Sequence, residues 1–294
     1  MEHIVNMKSL TTEEMMKIIE LAREMKADGI RKLDRTYYVS NLFFEPSTRT
    51  KSSFEMAERR LGMEVIPFAP ESSSTLKGET LYDTVKTFEA IGLDLVVVRH
   101  PRDKYYEQLV DHMDIPLING GDGSGQHPTQ SLLDIFTIYE HFGKFEGLNV
   151  TIAGDISHSR VAKSNAESLE RLGANVTFVC PDEWAGEFDY TTNLDAQIEN
   201  CDVLMLLRVQ HERHDGDGLA FSKWEYHRQF GLTLERAERL QEHAIIMHPA
   251  PVNRGVEIAD ELIESPKSKI LTQVENGVYV RAAIIKLLLK GRNE

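Results

Sequence analysis

The segment Glu45-Pro-Ser-Thr-Arg-Thr50 follows the apolar pair Phe43-Phe44 and leads into a helical pattern carrying Phe54, Ala57 and Leu61. A hydroxyl-rich turn opening a helix offers free backbone N–H groups, hydroxyls and an arginine to one anion, which is the chemistry of a phosphate site. Ser and Thr are also favoured there simply as helix caps. Arg49 separates the two readings, because a cation in the first turn opposes the helix dipole and needs another use. Three His-Pro pairs, His100-Pro101, His127-Pro128 and His248-Pro249, each come shortly after an apolar run. Proline holds the residue before it extended, which can aim that side chain off a sheet edge. One such histidine reads as a turn residue. Three in equivalent places, one beside Arg99 and one following Gly120-Gly-Asp-Gly-Ser-Gly125, read as a site. In the second half, Arg160, Arg208 and Gln210 follow two further apolar runs. Either arginine alone would pass for a surface ion pair. Two at strand ends suit a carboxylate ligand, which arginine holds through paired hydrogen bonds.

Such residues need strand ends and helix starts to hold them. Apolar, β-rich runs at Tyr37–Phe44, Val65–Phe68, Leu93–Val98, Ile115–Ile118, Asn149–Ala153, Asn175–Val179, Asp202–Leu207 and Ala244–Met247 read as eight strands. Helical patterns lie between most of them, including Glu79–Ile91, Pro128–Phe142, Val161–Leu172 and Leu234–Glu242. Thr11-Thr-Glu-Glu14 reads as a capping box opening the first helix, and Asn276–Lys290 as an amphipathic last one. This alternation predicts an α/β protein: two doubly wound domains with mainly parallel sheets, divided near residue 143 with about four strands on each side. Gly216-Asp-Gly218 and Asn253-Arg-Gly255 read as mobile loops.

Composition excludes several classes. The 294 residues carry 33 Lys+Arg against 47 Asp+Glu, a net charge of −14 that argues against nucleic acid or an anionic membrane as partner. No apolar run reaches the ~20 residues of a membrane helix, and the first residues lack a signal-peptide pattern, so a cytoplasmic protein is expected. Cys180 and Cys201 lie in apolar runs and read as buried thiols. Gly154-Asp-Ile-Ser-His-Ser lacks the further glycines of a dinucleotide turn. Asp122 occupies the first glycine position of a nucleophile elbow. His211-Glu-Arg-His214 with Asp215 and Asp217 reads as a solvated loop in preference to a metal site. Neither metal nor cofactor is expected.

Together, Phe44-Glu-Pro-Ser-Thr-Arg-Thr50, Arg99-His-Pro101, His127-Pro-Thr-Gln130, Arg208-Val-Gln210 and His248-Pro-Ala-Pro251 give the chain its resemblance to the aspartate/ornithine carbamoyltransferases, with motifs in both halves. The resemblance implies transfer of the carbamoyl group of carbamoyl phosphate to the amine of an amino acid, without a cofactor. It implies a carbamoyl-phosphate-binding domain of residues 1–142 plus 279–294, the last helix packing back on the first domain, and an amino-acid-binding domain of residues 143–278. It also implies a homotrimer whose active sites are shared between neighbouring chains, standing alone or joined to regulatory chains or other pathway enzymes.

Residue by residue, Ser47, Thr48, Arg49 and Thr50 match the family's phosphate loop. Thr50, Arg99 and His127 match the groups around the carbonyl oxygen, and Gln130 with the carbonyls of Pro249 and Ala250, next to Pro251, those that hold the carbamoyl NH₂. Lys77 matches a lysine donated by the neighbouring chain. Ser73 is the choice for its serine among Ser72-Ser73-Ser74, and Leu76 stands where many relatives carry a second lysine. Arg160 matches the group for an α-carboxylate, and Arg208 with Gln210 the pair for a side-chain carboxylate. The ornithine branch carries a His-Cys-Leu-Pro segment and an acidic residue with Ser-Met. This chain has His248-Pro-Ala-Pro251 and two arginines instead, which suit aspartate and would repel a diamine. The implied place is pyrimidine biosynthesis. A non-catalytic anion-binding module on the same fold is the reading from a different class.

Overall fold

Thr11 opens α1 (Thr12–Asp28) as a reciprocal cap: its hydroxyl accepts from Glu14 N–H, and the Glu14 carboxylate accepts from Thr11 N–H. Met15, Ile18, Ile19, Ala22 and Met25 form the buried stripe. The computed structural model describes residues 1–209 and 222–291, the side chains of 74 and 75 excepted. The chain divides into two units, residues 1–136 with 274–294, and residues 137–273.

In the first unit, β1 (Tyr38–Phe43), β2 (Glu64–Ile66), β3 (Leu95–His100) and β4 (Leu117–Asp122) form a parallel sheet in the order β2-β1-β3-β4. The chain leaves β1 through α2 (Thr48–Arg60) toward β2, then returns through α3 (Leu81–Ala90) to the far side of β1. The order therefore reverses between β1 and β3, and ligands of open α/β sheets bind beyond the carboxyl ends of strands at such a point. Leu95, Val96, Val97 and Val98 are all buried, the unbroken apolar run of a strand covered on both faces.

Two strands extend beyond their apolar runs. β3 continues through Arg99 and His100, and β4 begins at Leu117 and continues through Asn119-Gly-Gly-Asp122, past the expected end at Ile118. Buried polar groups make this extension tolerable. Asn119 Nδ2 donates to Val5 O at 2.8 Å, and its Oδ1 accepts from Gly121 N–H at 2.8 Å. A side chain on Gly120 would meet Val98 O at 3.3 Å, so the close approach of β4 to β3 favours glycine.

In the second unit, β5 (Asn149–Ala153), β6 (Asn175–Val179), β7 (Tyr190–Thr191), β8 (Val203–Leu206) and β9 (Ile245–Met247) form a parallel sheet in the order β7-β6-β5-β8-β9. Here the order reverses between β5, which leads into α5 (Arg160–Arg171), and β8. The nine strands among the described residues exceed the eight expected, because β7 is only two residues long and has no apolar run. α6 (Asp195–Ile198) and α7 (Lys223–Phe230) were also not anticipated, and α8 (Leu234–Arg239) stops where Leu240 turns extended.

The division between these units falls inside α4 (Pro128–Phe142) and α9 (Ile270–Lys290). α9 starts six residues before the expected Asn276. From Val274 onward it belongs to the first unit, where Lys26 Nζ of α1 donates to Asn276 Oδ1 at 2.8 Å. Cys180 and Cys201 are buried and free, and burial pushes their thiols up to about 12 and about 11. Both are therefore poor nucleophiles. Among the described residues no helix is long and apolar enough to cross a membrane.

Candidate active site

In the first unit, the expected residues gather at the carboxyl edge of the sheet. Arg99 pairs in register with Phe43, and Phe44 N–H donates to Arg99 O at 2.9 Å, so the end of β3 lies beside the 45–50 turn. The Arg99 guanidinium is fixed from two sides: Nη1 donates to Gly120 O at 3.2 Å, and Nε lies 3.3 Å from the Glu45 carboxylate. Ser47 is the extended residue before α2, but its hydroxyl makes no capping hydrogen bond. Thr48 and Arg49 are exposed in the first helical turn, Thr50 is buried, and no acidic residue stands in that turn. The capping role weighed against the phosphate role is therefore not taken by Ser47.

His127 enters the same edge from β4. The Asp122 carboxylate accepts from the backbone N–H groups of Lys104, at 2.7 Å, and Gln126, at 2.6 Å, which ties down the turn preceding His127. Burial holds Asp122 above the usual carboxylate range, and these bonds only partly offset it. His127 is buried at the start of α4, its carbonyl accepting from Gln130 and Ser131 N–H at 3.0 and 3.1 Å. Gln130 lies in the first turn of the helix, with Nε2 donating to Asp134 Oδ1 at 2.9 Å.

Lys77 and Leu76 are exposed on a short 3-10 turn (Ser74–Lys77), Leu76 at 73%. The Ser73 hydroxyl donates to Pro70 O at 3.0 Å and that of Ser72 to Ala69 O at 3.3 Å. Within this chain, both hydroxyls are used locally.

The second unit repeats the arrangement. Arg160 is the first residue of α5, behind Ser159, whose hydroxyl caps the helix by accepting from Ala162 N–H at 3.2 Å. Arg208 follows β8, the strand adjacent to β5. Both arginines are half-buried beyond the carboxyl ends of their strands. Gln210, and the His211–Asp217 segment weighed as a metal site, lie outside the described residues, as does Gly216–Gly218. Among the described residues no group of three His, Cys, Asp or Glu side chains could hold a metal ion.

The three His-Pro histidines do not share one role. His100 Nδ1 accepts from Arg102 N–H at 3.0 Å, and its ring packs against Phe44 and Tyr105, so it serves its own turn. Burial, with Arg102 nearby, holds it below the usual histidine range. His248 is buried, and its Nδ1 accepts from Ala250 N–H at 2.8 Å. That bond supports Ala250 at φ 54°, a conformation non-glycine residues seldom adopt, ahead of a cis bond to Pro251. Pro249 and Ala250 are half-buried and Pro251 is exposed.

Sequence reasoning missed the acids behind these groups. Buried Glu257 accepts from Val209 N–H at 2.8 Å and from Asn253 N–H at 2.7 Å, so it pins the chain next to Arg208 and the segment after Pro251. Asn253, read as part of a mobile loop, is tied further through Nδ2 to Val209 O and Glu257. Glu45 stood inside a motif without an assigned task. Asp134 left one trace, an acidic residue on the otherwise apolar Leu132–Phe136 stretch, one turn beyond Gln130.

Comparison with known proteins agrees over the whole chain. Residues 2–140 match the model of the aspartate/ornithine carbamoyltransferase carbamoyl-P binding domain, and residues 146–288 that of the Asp/Orn binding domain. The aspartate carbamoyltransferase catalytic subunit of Staphylococcus epidermidis is 57% identical over 99% of this chain and 100% of its own. That of Streptococcus equi subsp. zooepidemicus is 56% identical over 100% and 96%. Among solved structures, the catalytic subunit of M. jannaschii aspartate transcarbamoylase superposes with a TM-score of 0.86 at 33% identity, covering 100% of this chain and 99% of that one. The Trypanosoma cruzi aspartate transcarbamoylase in complex with carbamoyl phosphate and aspartate gives 0.88 at 31% identity over 97% and 95%. With both sheets, their edge residues and full-length likeness in agreement, the chain belongs to the aspartate/ornithine carbamoyltransferase family.

Proposed function

We propose that this chain is an aspartate carbamoyltransferase, which converts carbamoyl phosphate and L-aspartate to N-carbamoyl-L-aspartate and phosphate on the route to pyrimidines. Residues of the first unit take carbamoyl phosphate. Ser47, Thr48, Arg49 and Thr50 hold its phosphate, Thr50, Arg99 and His127 its carbonyl oxygen, and Gln130 its NH₂. Arg160 takes the α-carboxylate of aspartate and Arg208, with Gln210, the side-chain carboxylate. The uncharged amine attacks the carbamoyl carbon, and negative charge grows on the carbonyl oxygen before passing to the departing phosphate. Fixed donors aimed at those atoms lower the barrier, each by about 3–4 kcal/mol where well placed. His127 acts as such a donor and not as a nucleophile. Held geometry supplies the rest.

The reading extends to a homotrimer in which Lys77 and Ser73 serve a neighbouring chain's site. The exposure of Lys77 on its turn supports it.

The observation that carries the choice of aspartate is the pair Arg160 and Arg208, set beyond the carboxyl ends of the adjacent strands β5 and β8. Two guanidinium groups favour a dicarboxylate over an amine-bearing side chain. The test is phosphate release from carbamoyl phosphate with aspartate, with ornithine and with no acceptor. Release with aspartate alone is expected. Turnover with ornithine only would overturn the acceptor assignment, and none with either would leave a binding module.

A further inference from the structure

We propose that Asp134 is a positioning residue that decides which end of the Gln130 side-chain amide faces the donor substrate. The inference rests on the proposed role of Gln130 at the carbamoyl NH₂ and adds a residue to it.

An amide has a donating end and an accepting end, and only the accepting end can receive a hydrogen bond from an NH₂ group. Gln130 sits in the first turn of α4, and its amide has two flipped orientations to choose between. Asp134, one turn on, does select. An ionised carboxylate only accepts, so it holds Nε2, at 2.9 Å, and leaves Oε1 as the end turned away. Asp134 is fully buried, and Gln130 nearly so. Burying a carboxylate is costly unless charge and hydrogen bonds compensate.

Arg281 of α9, itself buried, offers a compensating charge that Asp134 feels electrostatically. Its Nη2 lies 3.4 Å from Thr129 Oγ1 and its guanidinium 5.0 Å from the Phe54 ring of α2. Burial lowers Arg281 to about 9 while Asp134 raises it, so the arginine stays charged at neutral pH. Gly277 makes room: a side chain there would meet Arg281 Nη1 at 2.3 Å. A helix-stabilising pair on a solvated face would need neither the burial nor the arginine.

Acetyl phosphate provides the discriminating probe, because it carries a methyl group where carbamoyl phosphate carries NH₂. Both are titrated calorimetrically into the full chain and into its Asp134→Asn variant. Asparagine donates as well as accepts, so either orientation of Gln130 becomes satisfied. The expected result is a loss of carbamoyl phosphate affinity of about tenfold, the size of one hydrogen bond, with acetyl phosphate affinity unchanged within about twofold. Equal weakening of both ligands would show a merely structural role and overturn the proposal, as would no change in either. Gln130→Leu, which does not depend on an Asp134 variant folding, should lower the same ratio, and an unchanged ratio there overturns the proposal independently. Failure of the unmodified chain to bind carbamoyl phosphate would overturn the proposed function itself, an outcome distinct from both.

Discussion

Asn41 of β1 donates its side-chain amide to the Glu58 carboxylate of α2 at 2.8 Å, with both side chains buried in the first unit. Burial pushes Glu58 up to about 8, with Glu55 adding to the shift and Asn41 and Arg59 opposing it. Among the described residues the second carboxyl oxygen, and Oδ1 of Asn41, have no hydrogen-bond partner.

A group whose folded pKa is raised loses stabilising power as pH rises from its unfolded value, near 4.5, through its folded value, near 8. Stability should therefore fall across that window by a few kcal/mol and level off above it. Glu58→Gln, which can donate to Asn41 Oδ1 and does not titrate, should remove this component of the slope. Urea midpoints at pH 5, 7 and 9 for both proteins check it, and parallel curves would refute the assignment.

Arg49 and Arg208 should fail differently. On the proposed roles, Arg49→Ala would remove a cation from the departing phosphate and should lower turnover by about 10²–10³-fold. Arg208→Ala removes ground-state binding and should chiefly raise the KM for aspartate. Steady-state kinetics with each substrate varied separates the two, and equal, mild effects would contradict both roles.

Mixing inactive Arg49→Ala chains with inactive Lys77→Ala chains should restore some activity, since some mixed interfaces carry both native residues. Light scattering on the same samples reports the assembly. No recovery after demonstrated subunit exchange would remove Lys77 from a shared site.

Glu257→Ala should destabilise the second unit, because it strands the N–H groups of Val209 and Asn253, at ~1–3 kcal/mol for a buried group. Aspartate use should suffer more than carbamoyl phosphate binding, because Val209 adjoins Arg208. Thermal denaturation with substrate titrations checks both halves of that expectation.

Much of this molecule was legible in its residues, and the exceptions have a common cause. The buried run Leu95–Val98 announces a doubly covered strand, and Arg49 announces a ligand because it opposes its own helix dipole. Asn119-Gly-Gly-Asp122 looks like a loop, since the residues that pair with it as a strand, Val98 and His100, and Val5, which holds the Asn119 side chain, come from distant sequence. His248 resembles a site histidine until Ala250 N–H occupies its ring nitrogen. Glu257 acts through Val209, 48 residues away, and no local spacing encodes that.

Each sheet reverses its strand order once, between β1 and β3 in the first unit and between β5 and β8 in the second. Arg160 and Arg208, on the turns beyond two of those strands, are half-buried and stand outside the strand ladders. A lineage built this way can exchange one amino-acid acceptor for another by altering the turns after β5, β8 and β9 while its phosphate-donor chemistry stays untouched. Divergence of specificity then needs few substitutions and little loss of stability.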